Sequence, residues 1–245
     1  MKKIVVCGNS HVANLKDAWN ESTDRRLPEG ISDFEVAGAS GRNLTKRFFE
    51  AGADHIDIRL ELKDEAAEPR LLRIEKNGEC IYAFHLFFTQ HLISKGEWGK
   101  FAPMEVANGS EAPLSTAVLN RMFDSHNRFI MEFIGQVHRL GVPFYVLETP
   151  RLFSSGVGRM CRLRNYRREV VGRVEELFRN RWKDALARSG IRLLEIPPEC
   201  LDGERMMKEE YSNNREGDHF HANVNFGKVV LRQLFEAVES AGARG

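Results

Sequence analysis

Apolar and polar positions change their rhythm along this chain, and the rhythm predicts its elements. Ile4-Val5-Val6-Cys7 is a β-branched apolar run without alternation, ended by Gly8-Asn9. Such a run predicts a strand buried on both faces, as in the middle of a parallel sheet. From Val12 to Trp19 the period lengthens, with Val12, Leu15 and Trp19 on one face of a helix. Gly8-Asn9-Ser10-His11 is then a strand-to-helix turn. Phe34 to Ala37 predicts a second strand, followed by the turn Gly38-Ala39-Ser40-Gly41, and Asn43 to Ala51 a short helix.

The middle of the chain follows a different rule. Ile56 to Leu62 alternates strictly, as a half-exposed antiparallel strand does. Leu71–Ile74 and Ile81–Phe84 flank Asn77-Gly78, a hairpin signal. Residues of about 55–84 therefore read as a β-hairpin insertion, although Cys80 to Thr89 also suits the next core strand. About 94–116 is rich in Gly, Pro, Ser and Asn and reads as a long loop, the kind of segment that is often functional. These two segments shape the pocket or a homo-oligomer contact, and the pattern does not choose.

The remainder alternates helix and strand again. Ala117 to Leu140 is a long helical stretch, Pro143 to Leu147 a strand, and Asn165 to Ser189 an amphipathic helix. Ile191 to Ile196 is a strand, Glu199 to Gly217 irregular, and Val224 to Ala241 a closing helix. Strands alternating with helices favour a mostly parallel sheet covered on both faces, in a single domain spanning 1–245.

Composition narrows the picture. The 245 residues carry a formal net charge of +1, with 42% hydrophobic and 29% charged residues. That length buries a core without staples, and that charge provides no global field for nucleic acid or membrane. The four cysteines lie far apart, so neither a disulfide framework nor a zinc site is expected. No apolar stretch suits a signal peptide or a membrane span, which makes the cytoplasm the default compartment.

Three turns carry candidate chemistry. Ser10 follows a buried strand where a helix begins, and the carboxyl edge of a parallel sheet is where ligands bind. Helix N-terminal N–H groups there favour developing negative charge, although Ser10 could equally serve as a plain helix cap. Asp218-His219-Phe220-His221 precedes the last helix. An imidazole to take a hydroxyl proton and a carboxylate to orient it are what serine hydrolysis needs, although Asp218 could equally cap the helix and the histidines lie on the surface. Around Gly41, backbone N–H groups can approach a substrate oxygen closely.

Order and position together resemble the SGNH/GDSL hydrolase family: strand–Gly-x-Ser–helix first, strand–x-Ser-Gly second, Asp-x-x-His-x-Asn before the final helix. The resemblance implies a flavodoxin-like three-layer α/β/α fold and an esterase that needs no cofactor. It implies Ser10 as nucleophile and first oxyanion donor, Gly41 as second donor, Asp218 as orienting acid and His221 as base. His11, Ser40 and His219 are candidate substrate contacts. Small esters or acylated glycans are the implied substrates, with an acyltransferase or a catalytically silent binding module as alternatives. Three departures stand out. His11 directly follows the serine, where it either contacts substrate or simply occupies the first helical turn. The usual Gly-Asp-Ser reads Gly8-Asn9-Ser10, and no clean Gly-x-Asn supplies the third oxyanion donor, for which Asn108, then Gln90 and His85, are the candidates. No third ligand accompanies His219 and His221, so no metal is expected. Eight arginines between Arg159 and Arg181 read as a solvated helix face, or as a basic rim for an anionic substrate.

Overall fold

The Ile4–Cys7 run is buried as the middle of strand β1 (Lys2–Gly8), and its side chains divide between two cores. Ile4 and Val6 join one apolar cluster, Val5 and Cys7 the other. A strand alternates its side chains between faces, so an unbroken apolar run means that both faces are covered. The structure is a computed structural model that describes residues 1–23, 25–38, 44–60, 70–86, 89–213 and 220–242.

After β1 come α1 (Ala13–Glu21), β2 (Ile31–Gly38), β3 (Phe49–Ala51), β4 (His55–Leu60), β5 (Arg70–Glu75) and β6 (Cys80–His85). Next are α2 (Thr89–Lys95), β7 (Phe101–Pro103), β8 (Ala112–Leu114), α3 (Thr116–His126), α4 (Arg128–Leu140) and β9 (Phe144–Leu147). The chain closes with α5 (Ser154–Arg164), α6 (Arg168–Arg188), β10 (Leu193–Leu194) and α7 (Val224–Gly242).

The central sheet has the order β10-β9-β6-β1-β2, and all its neighbours pair in parallel. That is the flavodoxin-like order, with the chain passing from β1 outward to β2 and then back across to β6, β9 and β10. The order reverses between β1 and β6, so the crevice beyond their carboxyl ends is the expected ligand site. On one face α1 and α7 cover Ile4 and Val6 through Leu15, Phe226 and Leu234. On the other, Phe133 and Ile134 of α4 and Val174 and Phe178 of α6 cover Val5 and Cys7.

Two glycines permit this packing. A Cβ on Gly8 would lie 2.5 Å from both the His85 carbonyl oxygen and Val12 Cγ1. One on Gly227 would lie 2.2 Å from the Asn14 carbonyl oxygen, where α7 crosses α1. Neither site has room for a side chain.

Several expected elements are redrawn. Asn77-Gly78 does form a turn, with Gly78 at φ 72° and the Asn77 side chain accepting from Glu79 N–H. It does not close a hairpin, because β6 leaves for the central sheet while β5 pairs antiparallel with β4. The insertion is a three-stranded sheet, β3-β4-β5, so the helix expected over 43–51 is extended at 49–51. Phe48 and Phe49 seat it against Phe133 of α4. The loop near 94–116 contains the parallel pair β7–β8. The helical stretch at 117–140 breaks at Asn127, whose buried side-chain amide donates to the Phe123 carbonyl oxygen at 3.2 Å and competes with the helix ladder. The helix expected from Asn165 instead follows a further helix, α5. Asn165, left-handed at φ 55°, ends α5, as Asn at a helix end can.

Candidate active site

The chain leaves β1 at Gly8 and turns at once. Asn9 N–H donates to the His85 carbonyl oxygen at 3.1 Å, and Val12 N–H to the Asn9 carbonyl oxygen at 3.1 Å. The buried Asn9 side chain accepts from His11 N–H at 3.0 Å. An amide oxygen thus holds the turn without a carboxylate's charge. The turn leaves Ser10 exposed while burying His11.

The second half of the site comes from the other end of the chain. Asn213 N–H donates to the His221 carbonyl oxygen at 3.0 Å, and Ser212 and Ala222 form an antiparallel bridge. Asn223 ties this segment down. Its side-chain oxygen accepts from the N–H groups of Asn225 and Phe226 at the start of α7. Its amide nitrogen donates to the carbonyl oxygens of Glu210 and Ser212. One side chain therefore caps the closing helix and fixes the approach to His221. The Asp-x-x-His-x-Asn pattern contained that signal, but only its Asp and His invited a role.

Ser10 Oγ lies 2.9 Å from His221 Nε2. With the ring proton on Nδ1, Nε2 accepts from the hydroxyl, which is the arrangement of a base poised on a nucleophile. Both residues line an open groove of about 410 Å3, together with His11, Asn14, Asp17 and Asn223. Cys7, three residues before Ser10, offers no competing nucleophile. Burial pushes its thiol up to about 12, and a buried thiol that stays protonated is inert.

Ser40, Gly41, Asp218 and His219 lie outside the described residues. Gln90 is in α2, its side chain outside the described part. Asn108 is exposed between β7 and β8, its side-chain oxygen accepting from Ser110 N–H at 3.2 Å and Ser110 Oγ–H at 2.7 Å. Among the described side chains lining the Ser10 groove, Asn108 does not figure. His85 ends β6 and is fully buried. Burial, opposed by the nearby Glu148 backbone and reinforced by Arg179, pushes its ring down to about 4.

The arginine-rich segment is mostly paired rather than free. Arg167 meets Glu111, Arg168 Glu204, Arg173 Glu105 and Glu176, and Arg181 Asp124. These pairs offset half of the eight arginines that a basic rim would draw on. Arg179 departs from a solvated face altogether, being buried among Glu148 and Glu175. Among the described residues, no three His, Cys, Asp or Glu side chains gather where they could hold a metal ion. No described helix is long and apolar enough to cross a membrane.

No family model and no curated protein matches the chain. Solved structures that it resembles include a GDSL-like lipase from Bacteroides thetaiotaomicron, at 10% identity over 97% of this chain and 89% of that one, with a TM-score of 0.45. Another is a carbohydrate acetylesterase family member from Sinorhizobium meliloti, at 11% identity over 98% of each chain and a TM-score of 0.44. A third is phospholipase A1 from Streptomyces albidoflavus, at 10% identity over 97% of this chain and 99% of that one, with a TM-score of 0.44.

Proposed function

We propose that the chain is a serine-dependent ester hydrolase of the SGNH/GDSL type, releasing an acyl group such as acetyl from a carbohydrate or another small ester. The observation that carries this reading is the 2.9 Å approach of Ser10 Oγ to His221 Nε2 in an open groove at the carboxyl edge of the sheet. Two residues 211 positions apart meet there, at the point where a parallel sheet of this order binds ligands.

In the first step Ser10 Oγ attacks the ester carbonyl carbon while its proton passes to His221 Nε2. The resulting oxyanion takes hydrogen bonds from the Ser10 and Gly41 backbone N–H groups. A third donor, for which Gln90 is the remaining candidate, would complete the hole; lacking one such donor typically costs about 100- to 1000-fold in rate. The imidazolium returns its proton to the leaving alcohol as the tetrahedral carbon collapses to an acyl-enzyme. Water, deprotonated by the same ring, then releases the acid and restores Ser10. Asp218, three residues before His221 in the sequence, is the carboxylate this reading assigns to holding the imidazole tautomer. The groove's polar lining, with Asn14, Asp17 and Asn223 beside Ser10, suits a hydroxyl-bearing ester better than a long alkyl one.

Ser10→Ala removes the nucleophile. Its kcat/KM on short p-nitrophenyl esters should fall about 10,000-fold or more relative to wild type. Equal turnover by the two proteins would overturn the assignment.

A further inference from the structure

Beside the serine–histidine pair stand two imidazoles that the acyl-transfer steps leave unused. The His11 ring centroid lies 4.7 Å from that of His221, with the planes tilted by 37°. Behind it, His85 meets His11 nearly edge-on, at 6.1 Å and 77°. The three rings run inward from the groove across the ends of β1 and β6. His11 is only 3% exposed, and its backbone is pinned by Asn9, so its ring stands on a fixed support.

We propose that His11 is a positioning residue whose ring face supports His221 and favours the imidazolium that His221 becomes when it takes the Ser10 proton; this rests on the serine-hydrolase reading. The distance lies inside the range of about 6 Å over which a cation is drawn to an aromatic face. The attraction is weak while His221 is neutral and strengthens once the proton has moved. An interaction that grows in the transition state raises kcat, whereas one made equally to bound substrate acts on KM. No bond forms to His11 and no proton passes through it: the proton leaves Ser10 Oγ, rests on His221 Nε2, and goes to the leaving alcohol.

The test compares His11→Phe with His11→Leu, both of which fill the space. Phe keeps an aromatic face and Leu does not. On p-nitrophenyl acetate, kcat should stay within about threefold of wild type for Phe and fall about tenfold for Leu, with KM within about twofold in both. Should the Leu protein fail to fold, His11→Met, unbranched and adaptable, is expected to show the same tenfold loss. Equal kcat values for the aromatic and aliphatic variants overturn the proposal, and so does a loss confined to KM. Wild-type labelling by a fluorophosphonate separates the two levels. A protein whose Ser10 is unreactive loses both readings, whereas a reactive one with indistinguishable variants loses only the role of His11.

Discussion

Two polar clusters stand on the same edge of the central sheet, and they are built in opposite ways. Beyond β9, Arg179 is 1% exposed and spends its guanidinium on the Glu148 and Glu175 carboxylates and on the carbonyl oxygens of Thr149 and Pro150. Glu148 accepts in turn from Ile196 N–H, and Glu175 from Leu152 N–H. That cluster fastens the loop after β9 to the end of β10. Beyond β1, Ser10 is exposed and its hydroxyl reaches one imidazole. Saturated and buried, the first cluster is a strut; open to solvent, the second can meet a substrate. Charge alone would have drawn attention to the wrong one.

Breaking the strut should therefore cost stability, and breaking the pair should cost turnover. Arg179→Met takes the shared cation from two buried carboxylates, leaving Glu148 only Lys183 and Arg151, a loss of about 3–5 kcal/mol expected in urea denaturation. Ser10→Ala, an exposed change, should stay within about 0.5 kcal/mol. Comparable losses for the two variants would erase the distinction.

A smaller effect probes the same contrast with acid. His85 ends β6, the strand between the two clusters, and burial pushes it down to about 4, against about 6.5 in an unfolded chain. Between those values the unfolded chain binds a proton that the folded one refuses, so stability is full above about 6.5 and falls as pH drops toward 4. One such group contributes a slope of at most about 1.4 kcal/mol per pH unit. The urea midpoint should fall over that window, and less steeply in His85→Leu. Burial also works to raise the Glu148 carboxyl. The charges of Arg179 and Lys183, the Ile196 N–H and the charge of Arg151 more than offset it and hold the group low. Its contribution is present above the usual carboxylate range and is lost at still lower pH. Identical pH slopes for wild type and His85→Leu would contradict the buried, neutral state of this ring.

The same contrast shows what the sequence could and could not disclose. The β1–turn–α1 unit was legible because its evidence is local: an apolar run, a glycine, then a helical period. The closing helix was legible for the same reason. Asn77-Gly78 misled because a turn is local chemistry while the partner of the strand after it is not; β6 was claimed by β1 and β9. Arg179 looked solvated because its class usually is. Phe178 and Trp182 beside it on α6 are buried, and Glu175 pairs with it from one turn earlier, but its other carboxylate, Glu148, comes from a distant part of the chain. Within the site, Ser10 and His221 were identifiable from motif position. The role of Asn223 depends on the distant carbonyl oxygens of Glu210 and Ser212 that its side chain meets only in the fold.

The most direct measurement of the central claim is the site and rate of fluorophosphonate labelling, read by mass spectrometry of the intact protein and its peptides. A hydroxyl activated by a histidine more than two hundred residues away should carry the adduct on Ser10, and His221→Ala should slow its formation at least about 100-fold. An adduct on any other residue, or the same labelling rate with and without His221, would contradict it.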